Sequence, residues 1–270
     1  QELRVASPRD GRLRWQAGFY TFEANPDTSS LGGNLVANPV PGQPDLPARI
    51  TPQDVDSGTK NEAVFAMLEF DVLENLTLTA EGRQAEDTIH TGGRSVFSKT
   101  SNTGFMPGSF SSGCAVVNAP IAGSPNRQIL TCANQYVNDS SFKNFLPRFT
   151  ATWLASDTLT YYAQYAKGNK PGGFNTDAEN ARIQPADRAA LATLGLRSFD
   201  EEEADSFEIG FKSRLFDRRV QLNTALYLID WTNQQLTQTG PVLEEGRPVG
   251  APTQPQFGTS YTANLGKSEV

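Results

Sequence analysis

The chain has 270 residues, 37% of them hydrophobic and 20% charged, with a formal net charge of −7. That balance excludes nucleic acid as a partner, because phosphate contact needs a basic face. One histidine and two cysteines leave little for a metal cluster or a Cys–His nucleophile, and no run approaches the roughly 18 apolar residues of a membrane helix.

Nearly every periodic segment has period two, the mark of strands with unlike faces. Residues 1–7 read as strand and Pro8–Gly11 as a tight turn. In 12–23, Leu13, Trp15, Ala17 and Phe19 alternate with Arg14, Gln16 and Gly18. Residues 24–60 are rich in Gly, Pro and Asn and read as a long loop. In 62–72, Val64, Ala66, Leu68, Phe70 and Val72 share a face. After the short Leu73–Asn75, residues 75–85 set Leu76, Leu78 and Ala80 against Thr77, Thr79, Glu81 and Arg83. A very long connection, 87–143, precedes 145–155, where Phe149, Ala151 and Trp153 oppose Arg148, Thr150 and Thr152. Ser156–Thr158 is short. In 159–167, Leu159, Tyr161, Ala163 and Tyr165 oppose Thr160, Tyr162 and Gln164, before the break at Lys167–Asn175. Residues 169–202 are long again. In 203–215, Phe207, Ile209 and Phe211 oppose Ser206, Glu208 and Lys212. Phe216–Arg219 is short, 219–236 is a strand, 238–258 is a loop, and 258–270 is a last strand.

Short and long connections therefore take turns. In an up-and-down antiparallel sheet every second connection lies at one end, so one end carries tight turns and the other long loops. Outer-membrane barrels have this asymmetry. A mean hydropathy of −0.44 does not exclude such a barrel, since alternating strands are only half apolar. Trp15, Trp153, Tyr161 and Trp231 fall near strand ends, as interfacial aromatic belts require. The rival reading places these aromatics in the core of a soluble β-sandwich. The barrel reading predicts an all-β fold, a transmembrane antiparallel up-and-down β-barrel present as a partial barrel of about nine strands. Leu13, Ala17, Leu78, Ala151 and Ile209 would face lipid, and Arg14, Thr79, Thr150 and Glu208 the lumen.

Four stretches resemble the TonB-dependent outer-membrane receptors. They are QELRVASPRDGRLRWQAGFY (1–20), LPRFTATWLASDTLTYYAQYAKGNKPGGFN (146–175), FDEEEADSFEIGFKSRLFDRRVQLNTALYLIDWTNQQ (199–235) and YTANLGKSEV (261–270). The second is the most specific, spanning a strand, a turn, a returning strand and exit glycines. The resemblance implies that residues 1–270 form part of such a receptor's barrel, with the plug domain and the C-terminal strands absent. It also implies a bacterial outer-membrane location and active uptake of a scarce nutrient, most commonly an iron–siderophore complex. The implied partners are the TonB energy-coupling protein, outer-membrane lipid and a small-molecule nutrient ligand. The loops 24–60, 87–143, 169–202 and 238–258 would form a capture surface, and Arg83, Arg148, Gln164 and Lys212 would face the lumen. A passive porin-like channel and a soluble β-sandwich carbohydrate-binding module are the alternative readings.

Few other residues point to chemistry. Cys114 and Cys132 share one loop and read as a loop-closing disulfide, because an outer-surface loop is oxidising. His90 reads as an exposed polar residue near a loop start. The acidic run Asp200–Asp205 reads as a solvated stretch before a strand, with divalent-cation binding as the sharper alternative. PADRAALATLGL (185–196) reads as a short helix, with Pro185 at its first position and Gly195 as its stop. Lys170–Asn175 lacks the Lys-Ser/Thr of a phosphate loop. No catalytic residue, metal site or cofactor is expected.

Overall fold

A computed structural model describes residues 1–36, 46–176, 184–242, 245–251 and 257–269. The strands on the turn side come in pairs. β1 (Glu2–Ala6) and β2 (Leu13–Ala24) are followed by β3 (Asp27–Val36), β4 (Leu46–Leu73), β5 (Leu76–Ser101) and β6 (Cys114–Asn118). Then come β7 (Gln128–Ser156), β8 (Leu159–Lys170), β9 (Gly173–Phe174) and the helix α1 (Pro185–Thr193). The chain continues through β10 (Ser198–Phe199), β11 (Glu202–Leu215), β12 (Val220–Thr232), β13 (Gln235–Val242), β14 (Phe257–Asn264) and β15 (Lys267–Glu269).

One antiparallel sheet runs β1-β2-β4-β5-β7-β8-β11-β12-β15, with β3 beside β4 and β6 beside β7. It is not closed: β1 and β15 are its opposite edges. The tight turns 74–75, 157–158 and 216–219 all lie at one end. The last uses Phe216, Asp217 and Arg218 with φ of 53°, 52° and 68°, left-handed values that let the chain reverse in a few residues. Among the described residues no second sheet packs face to face on this one, so the sandwich reading fails.

Register follows the side-chain pattern row by row. Leu13, Phe70, Leu78, Ala151, Ala163, Ile209 and Leu226 lie side by side across seven strands. One residue away, Arg14, Glu69, Thr79, Thr150, Gln164, Glu208 and Tyr227 form the matching row of the other face. The apolar face stands open, with Ile209 58% and Leu226 69% exposed. Stacked aromatics cross it at two levels, Trp153–Tyr161 at 5.6 Å and Phe149–Tyr165 at 6.4 Å between centroids. Among the described residues this apolar face packs against no core, so its side chains need an apolar solvent. The apolar rows end in charge: Tyr165 sits beside Phe207, and the next residues on that face are Lys167 and Asp205. The Tyr165 hydroxyl donates to Asp205 at 2.6 Å, the two-ended placement of an interfacial aromatic.

Three expectations need correction. Much of 24–60 and 87–143 is strand rather than loop, since β4, β5 and β7 run for 28, 26 and 29 residues. Backbone pairing continues well past the alternating apolar belt, from Glu62↔Glu86 to Gln53↔Ser95 and from Glu86↔Lys143 to Ser101↔Gln128. Above the apolar belt no bilayer enforces alternation, so the period-two pattern lapses while the ladder persists. The strand expected over 219–236 ends at Thr232, where Asn233 (φ 54°) turns the chain out of the sheet. The last strand, expected over 258–270, is split. β14 pairs with β13 in a separate hairpin, and only β15 returns to β12. Among the described residues no helix is long and apolar enough to cross a membrane.

Candidate functional site

The polar face carries paired charges near the turns and a cavity farther along. Arg14 donates to both oxygens of Asp71, at 2.6 and 2.7 Å, and to Glu69. Asp71 also accepts from Thr77 Oγ1 at 2.8 Å. These groups neutralise one another and leave little for a ligand.

The cavity, of about 460 Å³, gathers Arg4, Tyr20, Phe65, Glu81, Arg83 and Arg148 from five strands. Arg148 donates to Glu81 at 2.6 Å, and Arg4 pairs with Glu2. Arg83 differs from both. It donates to the neutral Asn61 Oδ1 at 2.7 Å and lies 5.1 Å over the Tyr20 ring, while Asn61 passes the contact on to Asp87 at 2.6 Å. Among the described residues no carboxylate pairs directly with Arg83. Arg4 lies 5.9 Å over Phe65. The arrangement presents guanidinium charge framed by aromatic rings, suited to a planar or anionic ligand.

The sequence-derived candidates are thus divided. Arg83 and Arg148 meet in the cavity. Gln164, which accepts from Thr150 at 3.5 Å, and Lys212, 5.6 Å over the Tyr162 ring, lie on the same face but outside it. Sequence reasoning missed Arg4, Tyr20 and Phe65. A Cβ on Gly18 would come within 2.4 Å of the Phe65 ring and 2.6 Å of Leu3 O. That lone glycine within a strand was the available sign of close approach.

The loop end is held by single links. Cys114 and Cys132 are disulfide-bonded across β6 and β7 and pack with Phe105 and the fully buried Leu130. Glu245 is buried against this cluster, its Oε2 3.5 Å from Cys114 Sγ and its Oε1 accepting from Arg188 on α1 at 3.3 Å. Burial raises the Glu245 carboxyl to about 7, against the opposing pull of Arg188 and Ser111. Cys114, Cys132 and Glu245 are ligand types within 4.8 Å of one another, but the two sulfurs are bonded to each other.

Three side-chain amides stitch the remaining loops together. Asn175 donates to Leu196 O and Thr262 O and accepts from Thr262 N. Gln235 donates to Pro171 O and Asp200 O, and Asn264 to Asp200 O and Asn233 O. The glycines after the Lys167 break have a packing role: a Cβ on Gly172 would meet Phe199 O at 2.3 Å and the Phe142 ring at 2.6 Å. The acidic run is partnered rather than merely solvated. Glu201 accepts from Asn144, Glu202 from the Gln235 N–H, Glu203 pairs with Lys167, and Asp205 accepts from Tyr165. His90 lies on β5, not in a loop, between Asp139 at 2.6 Å and Asp56 at 3.3 Å. The Asp139 hydrogen bond raises its pKa, with Asp56 adding to the effect. The helix forms as Pro185–Thr193 with proline in its first turn, and Gly195 at φ 69° follows it.

The TonB dependent receptor-like, beta-barrel family matches residues 5–270. Among solved structures, the ferric yersiniabactin uptake receptor FyuA from Yersinia pestis superposes with a TM-score of 0.57 at 16% identity, over 99% of this chain and 30% of that one. The hemophore receptor HasR of Serratia marcescens, a double mutant in complex with its hemophore HasA and heme, gives 0.45 at 14% identity, over 99% of this chain and 40% of that one. The chain thus spans well under half the length of these receptors. The match over 5–270, together with an open antiparallel sheet that is apolar on one face and polar on the other, means that the chain belongs to the TonB-dependent receptor β-barrel family, whose members are transporters of the bacterial outer membrane and not enzymes.

Proposed function

We propose that this chain is wall and outer-loop structure of a receptor that takes up a scarce nutrient, an iron–siderophore complex, with energy supplied by the TonB protein. In this reading the polar face lines the lumen, where Arg83, Arg148, Gln164 and Lys212 contact a plug or the passing ligand. The edges at β1 and β15 pair with further strands, since an unpaired backbone group in lipid costs several kcal/mol. The loop end faces outward and captures ligand.

The observation that supports the substrate class is the arginine cavity. Arg83 has no carboxylate partner among the described residues and sits with Arg4 and Arg148 beside two rings. Such a wall favours an anionic, flat chelate over a neutral solute. The test is uptake of radiolabelled ferric chelates by cells carrying the whole receptor. Arg83→Ala should lower uptake at limiting chelate by about tenfold, the loss of one charge-assisted contact. Failure to take up any ferric chelate would overturn the substrate. Uptake that continues without TonB would point to a passive channel.

A further inference from the structure

The tip of the β6–β7 hairpin borders a second concavity, separate from the arginine cavity. Its volume is about 550 Å³, within the range of small-ligand pockets. No charged side chain lines it, in a chain where 20% of residues are charged. One wall is the hairpin tip with Pro120, Pro125 and Asn126, and the other is Thr103–Phe105 with Val249.

Both walls are fixed in place. Phe105 and Pro248 form a β-bridge, and Val249 N donates to Gly104 O at 3.0 Å. Ala119 N donates to Arg127 O at 2.9 Å across the tip, and the prolines preset the backbone on either side. Gln128 then decides which way its neighbour points. Its Oε1 accepts from the Phe105 N–H at 3.0 Å, so its Nε2 is the end that donates to Asn118 Oδ1 at 2.9 Å. The Asn118 oxygen therefore accepts from Gln128, and among the described residues its Nδ2 makes no hydrogen bond, which leaves it available as a donor at the concavity that Asn118 lines. Asn126 makes no side-chain hydrogen bond among the described residues.

We propose that this concavity is a subsite for a neutral saccharide, distinct from the cargo route. A sugar hydroxyl both donates and accepts. One hydroxyl can take the Asn118 Nδ2 hydrogen while its neighbours exchange both kinds of bond with the Asn126 amide. Pro120, Pro125 and Val249 offer apolar surface to the C–H face of the ring. An ionised ligand would lose water here and find no counter-charge, so a charged chelate belongs at the arginine cavity instead. The inference needs only that the loop end be solvent-accessible, and it does not depend on the identity of the nutrient.

The test is saturation-transfer NMR on the whole receptor in outer-membrane vesicles, with maltotriose, cellotriose and chitotriose as neutral probes and a galacturonate trimer as the charged one. Empty vesicles supply the background. At least one neutral probe should bind saturably, and the charged trimer should bind about tenfold more weakly or not at all. Asn118→Asp keeps the oxygen that Gln128 needs and removes the donor, so it should weaken the neutral probe by about tenfold while leaving the fold and ferric uptake intact. Asn126→Ala should do the same. Equal binding by the Asn118→Asp variant, preference for the charged trimer, or no saturable binding of any neutral probe would each overturn the proposal. Loss of saccharide binding with normal ferric uptake separates this subsite from the cargo site.

Discussion

Near the tight turns, each strand contributes one side chain to a row, and the same row repeats across seven strands. Near the loops, contacts are made once each: one disulfide, one buried carboxylate beside one guanidinium, three bridging amides. The turn-side half is a ladder whose stability is spread over many equivalent pairs and depends on the solvent at its apolar face. The loop-side half has its own small core of Phe105, Leu130 and Cys132 and depends on individual bonds. A single substitution should therefore act in the first half through which face it occupies, and in the second through which link it removes.

The largest effect is expected on the ladder. Ile209→Arg places charge on the apolar face midway between Leu215 and Asp205 and should cost about 2–4 kcal/mol in lipid vesicles, read by denaturant unfolding. Thr79→Arg, on the polar face beside Glu69, should be much milder. Equal costs would mean that the two faces have been exchanged, since a one-residue slip swaps them. Next comes the disulfide, whose cysteines are 18 residues apart. Replacing both by serine should destabilise the loop-side half by about 3 kcal/mol. Hydrogen exchange should rise over 102–133 and stay unchanged in β11 and β12.

The buried carboxylate gives a pH test. Its folded-state pKa of about 7 exceeds the ordinary value of 4.5, so the folded state holds the proton more tightly across that window. Stability of the loop-side half should fall as pH rises from 4.5 to 7, by on the order of 1–3 kcal/mol. Glu245→Gln should flatten that slope, and a slope that persists would show that another group carries it. The smallest effect is expected at the amide stitches. Asn175→Ala leaves Thr262 N and two carbonyls to find water, a loss of about 1–2 kcal/mol. It should appear as faster exchange confined to the segments around 173–175 and 196–199 and to β14.

How much could be read in advance differs between the halves for the same reason. Strand faces and tight turns were legible around Leu13–Phe19, Leu76–Ala80 and Phe207–Phe211, because a bilayer on one side and water on the other force alternation. Above Tyr165 and Val64 that force is gone, so β4, β5 and β7 read as loops although their backbones pair for many residues more. Of the polar candidates, Arg83 and Arg148 could be named from their parity on the strands. Arg4, Tyr20 and Phe65 could not, because cavity membership depends on stagger between strands rather than on position within one.

The amino-acid order by itself determined the two faces of the sheet, the end that carries the turns and the family, because each rests on neighbours within one strand or one hairpin. Only the tertiary structure decided that Gly172 packs against Phe199, that Glu245 is buried beside Cys114, that Asn175 bridges to β14, and that Gln128 links Phe105 to Asn118 at an open cavity. Those contacts join residues from 10 to 131 positions apart, and no local period records them.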